Sequence, residues 1–307
     1  MRIAVVGAGG VGGGFGAALA KAGADVTFIA RGAHLAAMKS AGLRIESPRG
    51  DTHLVPTQAT DDPGGVGHVD IVLFCVKLWD VESAGAHIKP MVGPTTAVIP
   101  LQNGIDAAER LLPILGPDAV MGGVAQISAS IIKPGVIQQV GTFMRMIFGE
   151  LDGRITQRGQ DLLALCQQAG FDATLSGEIL TDLWMKFILL ATNAGITAAT
   201  RQPLGKLRDD PEIRPVIVAA VKEVDAIGRA SKIALPTDAV EKVLDFIDHV
   251  PPAMKASMAL DLERGNRLEL PWLGGKVVAL GRELGVPTPT HATLYAMLKP
   301  YTMGTPG

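Results

Sequence analysis

The first sixteen residues, MRIAVVGAGGVGGGFG, restrict the possible folds more than any other stretch of the chain. Ile3, Ala4, Val5 and Val6 form a short, uninterrupted apolar run, the pattern of a strand buried on both faces. From Phe15 to Ala22 the residues favour a helix. Between the two, Gly7, Gly9 and Gly12 spell G-x-G-x-x-G. In a strand–turn–helix setting, the first glycine permits a tight turn, the second lets the backbone approach a pyrophosphate, and the third lets helix and strand pack closely. The amides at the helix start then face the phosphates. Gly7, Ala8, Gly9, Gly10, Val11 and Gly12 are therefore the expected cofactor-binding loop. No charge occurs from Ile3 to Ala20, as in a signal peptide or a membrane span, but the seven glycines from Gly7 to Gly16 argue against both.

A chain of 307 residues is long enough for two domains of ordinary size. The net charge of -2 gives no electrostatic footprint for nucleic acid or an anionic membrane, so neither is an expected partner. Cys75 and Cys166 lie in apolar segments without ligand spacing and read as buried free thiols, which fits a reducing cytoplasm. The six histidines are dispersed, with no H-x-x-x-H pair, and no metal site is expected. No G-x-S-x-G elbow occurs either.

Along the chain, Asp25 to Ala30 reads as the second strand of a βαβ unit. An NAD-selective domain carries an acid at the end of this strand to hold the ribose 2′-hydroxyl, whereas here Arg31 follows and no acid occurs before Glu46. Arg31 is thus a candidate ligand for the 2′-phosphate of NADP. Further buried strands, Val69 to Val76 and Ala97 to Leu101, end at Lys77 and at Gln102-Asn103-Gly104. Ligands of open α/β sheets sit beyond the carboxyl ends of the strands, which makes Lys77 and Asn103 candidates as well. A hairpin turning at Lys133-Pro134-Gly135 is expected to extend the same sheet antiparallel, and a helix and a strand from Phe171 to Leu175 to close the domain. Everything beyond is helical in pattern, so the expected domains are 1–177, an α/β dinucleotide-binding domain of Rossmann type, and 178–307, an all-α domain.

Lys186 lies midway along a nearly all-apolar helix read from Ile179 to Ala199. A lysine so placed faces a cavity or has a partner, and its pKa falls, which suits a general acid. Asn193 follows two turns later on roughly the same face and is a candidate for touching a ligand. Ser257 and Glu269 flank a short helix and its Gly265-Asn266 turn, and in isolation read as capping or surface residues.

GAGGVG at the start, CVK at Cys75 to Lys77, QNG at Gln102 to Gly104, W-x-K at Trp184 to Lys186 and SM-x(10)-E from Ser257 to Glu269 resemble, in order and spacing, the ketopantoate reductase (2-dehydropantoate 2-reductase) family. The resemblance implies NADPH-dependent reduction of a 2-keto acid in the cleft between the two domains. It assigns Lys186 as the general acid, Glu269 as the carboxylate that bonds substrate and supports the lysine, and Asn103 as the strand-end amide near the nicotinamide and the lysine. Ser257 becomes a contact for the substrate carboxylate and Lys77 a contact for cofactor or substrate. Two positions where well-known members carry asparagine on the lysine helix are Leu190 and Ala194 here, and a third further on is Leu204, so a more apolar substrate pocket is expected. A 3-hydroxy acid dehydrogenase of related architecture and a non-catalytic NADPH-sensing protein are the competing readings. A cytoplasmic enzyme is expected, with room for a homodimer.

Overall fold

The computed structural model describes residues 1–305 and divides into two compact units, Met1–Gln102 with Asp106–Ile179, and Asn103–Ile105 with Leu180–Gly307. In the first unit the chain runs through β1 (Arg2–Val6), α1 (Gly10–Lys21), β2 (Asp25–Ile29), α2 (Gly32–Ala41), β3 (Leu43–Glu46), β4 (Thr52–Leu54), β5 (Ala59–Thr60), β6 (Val69–Phe74), α3 (Val81–His87) and β7 (Val92–Pro100). It continues with α4 (Ala107–Leu115), β8 (Met121–Lys133), β9 (Val136–Glu150), α5 (Gln157–Gln168) and β10 (Asp172–Leu175). Five strands form a parallel sheet in the order β5-β2-β1-β6-β7. Val6 pairs with both Ile29 and Phe74, and Phe74 with Pro100, so four strands end at one level. The strand order reverses at β1, and the glycine loop leaves the sheet at that switch point, where an open α/β sheet takes its ligand.

The β8–β9 hairpin does not extend this sheet. It forms a second sheet in which β9 pairs with β8 antiparallel and with β3 and β10 parallel, while β4 pairs with β3. The reason lies in α1, which is apolar on both sides and needs two covers. A Cβ on Gly16 would stand 2.6 Å from Phe28 of the first sheet, and one on Gly10 would stand 1.9 Å from the Ala129 carbonyl of the second. Gly13 and Gly14 face Ile137 and Ile127 of that same hairpin. The density of glycine beyond the fingerprint is thus a packing requirement of a helix held between two sheets.

The second unit contains α6 (Ile179–Thr200), α7 (Leu204–Arg208), α8 (Arg214–Ala230), α9 (Ala239–His249), α10 (Ser257–Glu263), α11 (Gly274–Leu284) and α12 (Pro289–Leu298), α6 beginning one residue before it. α6 is long and apolar enough to cross a membrane, yet 56% of its most apolar window is buried inside the protein. Phe187, Ile188, Ala191, Ala194 and Ile196 sit in one core with Ile217, Val221 and Val224 of α8 and Val277 of α11. Ile105 packs against that core and draws the short segment after β7 into this unit.

Glu223 of α8 ties α12 to the bundle. Its carboxylate accepts the Thr290 amide at 2.7 Å, the His291 amide at 3.0 Å and lies 2.9 Å from His291 Nδ1. Burial raises its pKa, but these donors outweigh burial and hold it below the usual range. Glu223→Ala is expected to lower stability by about 1.5–3 kcal/mol at neutral pH, read from the denaturant midpoint. Because the folded pKa lies below the unfolded one, this contribution is complete above the unfolded pKa and vanishes as pH falls through the folded value. The gap between wild type and variant therefore closes in acid.

Candidate active site

Gly7 adopts φ 93, and its added Cβ would lie 2.8 Å from the Cys75 carbonyl, so the turn out of β1 admits only glycine. Gly12 presses its helix turn onto the strand, since a Cβ there would stand 2.2 Å from the Gly7 carbonyl. Gly9 differs from both. It is the N-cap of α1 in an extended conformation, makes no side-chain cap, and a Cβ on it would meet nothing within 4 Å. The first amides of a helix have no acceptor within it, and no acidic residue stands in this first turn. Open space over uncapped amides fits the pyrophosphate of a dinucleotide.

Two further candidates lie beyond the neighbouring strands of the same unit. Arg31 follows β2 with its side chain 84% exposed, and its guanidinium is 2.9 Å from the Asp80 carboxylate. Lys77 follows β6, is exposed, and places its ammonium 5.6 Å from the Trp79 ring. Asp80 is a residue the sequence reading did not use. It lies 49 positions from Arg31, and only the parallel order β2-β1-β6 brings the ends of their strands to one edge. Gln102 is buried and donates through Nε2 to the carbonyls of Phe74 and Val76, fixing the end of β6.

In the second unit, Asn103, Lys186 and Glu269 are drawn together. Lys186 is half-buried on α6, and burial lowers its pKa to about 8 while the Glu269 charge pulls it upward. Glu269 is itself buried at the start of the 3-10 turn Leu270–Trp272 and accepts Asn103 Nδ2 at 3.4 Å. A cationic acid with a pKa near working pH, a carboxylate that sustains its charge and an amide that orients the carboxylate can together deliver a proton. Asn193 is buried, and its Oδ1 has no hydrogen-bond partner among the described residues. Ser257 opens α10 with an exposed side chain and is not among the groups tied to this cluster. Ala194 and Leu204 are in the core of the unit, and Leu190 packs against it. Burial pushes both thiols up, that of Cys166 to about 12, so neither is a thiolate at neutral pH. No group of three or more His, Cys, Asp or Glu able to hold a metal ion occurs among the described residues.

Comparison with known proteins gives this arrangement its family. Residues 3–153 match ketopantoate reductase PanE/ApbA, and residues 178–302 match its C-terminal part. The chain belongs to the ketopantoate reductase family. A crystal structure of a PanE/ApbA family ketopantoate reductase from Ralstonia eutropha JMP134 is 32% identical, covers 98% of each chain and superposes with a TM-score of 0.90. A 2-dehydropantoate 2-reductase from Mesorhizobium japonicum is 29% identical over 97% of each chain. An uncharacterized oxidoreductase, YkpB, from Bacillus subtilis is also 29% identical, over 98% of this chain and 99% of its own. Ketopantoate reductases are oxidoreductases acting on CH–OH groups with a nicotinamide dinucleotide, and this chain is one of that family.

The geometry at Gly9 separates folding from binding. Gly9→Val is expected to fold with a Tm lowered by only a few degrees, because nothing stands within 4 Å and the extended backbone admits the side chain, leaving the loss of a good N-cap residue as the main cost. The side chain fills the space over the helix amides, and dinucleotide affinity measured by calorimetry is expected to fall by at least about tenfold, or 1.4 kcal/mol.

Proposed function

We propose that this ketopantoate reductase homologue reduces a 2-keto acid to the 2-hydroxy acid with NADPH, 2-dehydropantoate being the first substrate to test. The observation that carries the reading is the convergence of Lys186, Glu269 and Asn103, with Lys186 lowered to about pKa 8. The similarity to the 2-dehydropantoate 2-reductase of Mesorhizobium japonicum supports the substrate class. NADPH, when bound, supplies the hydride to the carbonyl carbon.

The chain's own residues supply the remainder. The loop from Gly7 through Ala8, Gly9, Gly10 and Val11 to Gly12 holds the pyrophosphate, Arg31 meets the 2′-phosphate and Lys77 adds a second cation. As the carbonyl oxygen gains negative charge, Lys186 Nζ gives it a proton, so that hydride and proton together complete the hydroxyl. Lys186 is mostly protonated at neutral pH because Glu269 opposes the effect of its burial. Asn103 keeps the Glu269 carboxylate in place through Nδ2. Glu269 also accepts from the substrate, and Ser257 offers its hydroxyl to the substrate carboxylate.

Substrate choice within the class rests on Asn193 and the three apolar departures. Asn193 Oδ1, buried without a partner, would gain a bond from a substrate hydroxyl. Leu190, Ala194 and Leu204 supply no polar group for that hydroxyl, which favours an apolar tail instead. Steady-state kinetics with NADPH are expected to give 2-dehydropantoate and a branched-chain keto acid comparable kcat/KM. A preference of about a thousandfold for 2-dehydropantoate would mark a site built to bind the hydroxyl.

The proton donor has its own test. Lys186→Ala is expected to lower kcat by about 10² to 10⁴ while NADPH affinity is retained. Unchanged turnover would move the acid to another group.

A further inference from the structure

Asp80 stands against Arg31, the residue proposed to face the 2′ position of the dinucleotide. No acid stands at the end of β2, where Arg31 follows instead. The fold supplies one from elsewhere. Asp80, in the turn after β6, reaches Arg31 with Oδ2 at 2.9 Å, and the pair lies on the same sheet edge as the glycine loop. Its carboxylate is 27% exposed. The Lys77 carbonyl accepts the Asp80 amide at 2.9 Å and the Asp80 carbonyl accepts the Ser83 hydroxyl at 3.1 Å, so the backbone that presents the carboxylate is fixed.

A carboxylate beside the arginine that follows β2 acts in two directions. Toward a 2′-phosphate, it cancels part of the guanidinium's charge and adds a like-charge repulsion. Toward an unphosphorylated ribose, Oδ1 can accept the 2′-hydroxyl, the part an acid at the end of β2 plays in NAD-binding domains. We propose that Asp80 sets the cofactor discrimination of this enzyme and holds it low, so that NADH binds within about tenfold of NADPH. The inference rests on the dinucleotide reading of the glycine loop and on Arg31 facing the ribose 2′ position.

The test is calorimetric titration of the full chain with NADPH and NADH, repeated with adenosine 2′,5′-bisphosphate and 5′-AMP, which isolate the 2′-phosphate. Wild type is expected to bind both dinucleotides with dissociation constants within about tenfold. Asp80→Asn keeps the size of the side chain and removes its charge. It is expected to tighten NADPH and the bisphosphate, weaken NADH, and shift their ratio on the order of ten- to a hundredfold toward the phosphorylated ligands. Arg31→Ala, which leaves the acid alone at the site, is expected to shift the ratio the other way. If both dinucleotides bind and the ratio is the same in wild type and Asp80→Asn, or wild type prefers NADPH by a hundredfold or more, the inference on Asp80 is overturned by itself. If wild type binds neither dinucleotide, the reading of the loop falls and the inference falls with it.

Discussion

Burying a lysine costs free energy unless something opposes the loss of water, and in the second unit that opposition is the charge of Glu269. The two effects leave Lys186 near pKa 8, a value at which the side chain both holds and releases a proton around neutrality. Much of the surrounding architecture serves this balance. α6 is apolar almost throughout and is enclosed by α8 and α11, so the lysine is desolvated by the core of the unit. Glu269 is buried at a 3-10 turn, and Asn103, carried into the unit by Ile105, bonds the carboxylate. A carboxylate fixed by an amide keeps its charge at one place, and a fixed charge tunes its neighbour more steadily than a mobile one.

The first unit solves a different problem with the same economy of residues. A helix that presents its N-terminus to an anion must be held rigidly at the switch point of the sheet, and α1 is clamped from both sides. Gly12 and Gly16 let it descend onto the first sheet, and Gly10, Gly13 and Gly14 let the β8–β9 hairpin close over it. Within the run from Gly7 to Gly16, Gly9 alone looks onto open space. One glycine run thus serves both packing and binding, and the two roles are separable residue by residue.

Much of this was legible in the sequence. The apolar run at 3–6, the glycine spacing and the strands that lead to Lys77 and Asn103 follow from periodicity and turn chemistry, which are local, although β6 ends at Phe74 rather than Val76 and β7 runs from Val92 to Pro100 rather than from Ala97 to Leu101. The depressed pKa of Lys186 was legible too, because its neighbours on the helix are themselves apolar. What was not legible is long-range. Asp80 meets Arg31 across 49 positions through the order of strands rather than through any local pattern, and the meeting of Asn103 with Glu269 across 166 positions was legible only through the family resemblance. The hairpin was assigned to the wrong sheet for a related reason: its alternation shows that it pairs, but not with what. Gly10 was read as a ligand position, whereas its lack of a side chain answers first to the Ala129 carbonyl.

The central claim is that Glu269 tunes Lys186, and the pH dependence of keto acid reduction in wild type and Glu269→Gln tests it most directly. In wild type, kcat is expected to fall as pH rises through about 8, because the acid loses its proton. Glu269 raises the lysine pKa, so removing its charge is expected to move that falling limb to lower pH. A limb that stays in place, or moves to higher pH, would contradict the account.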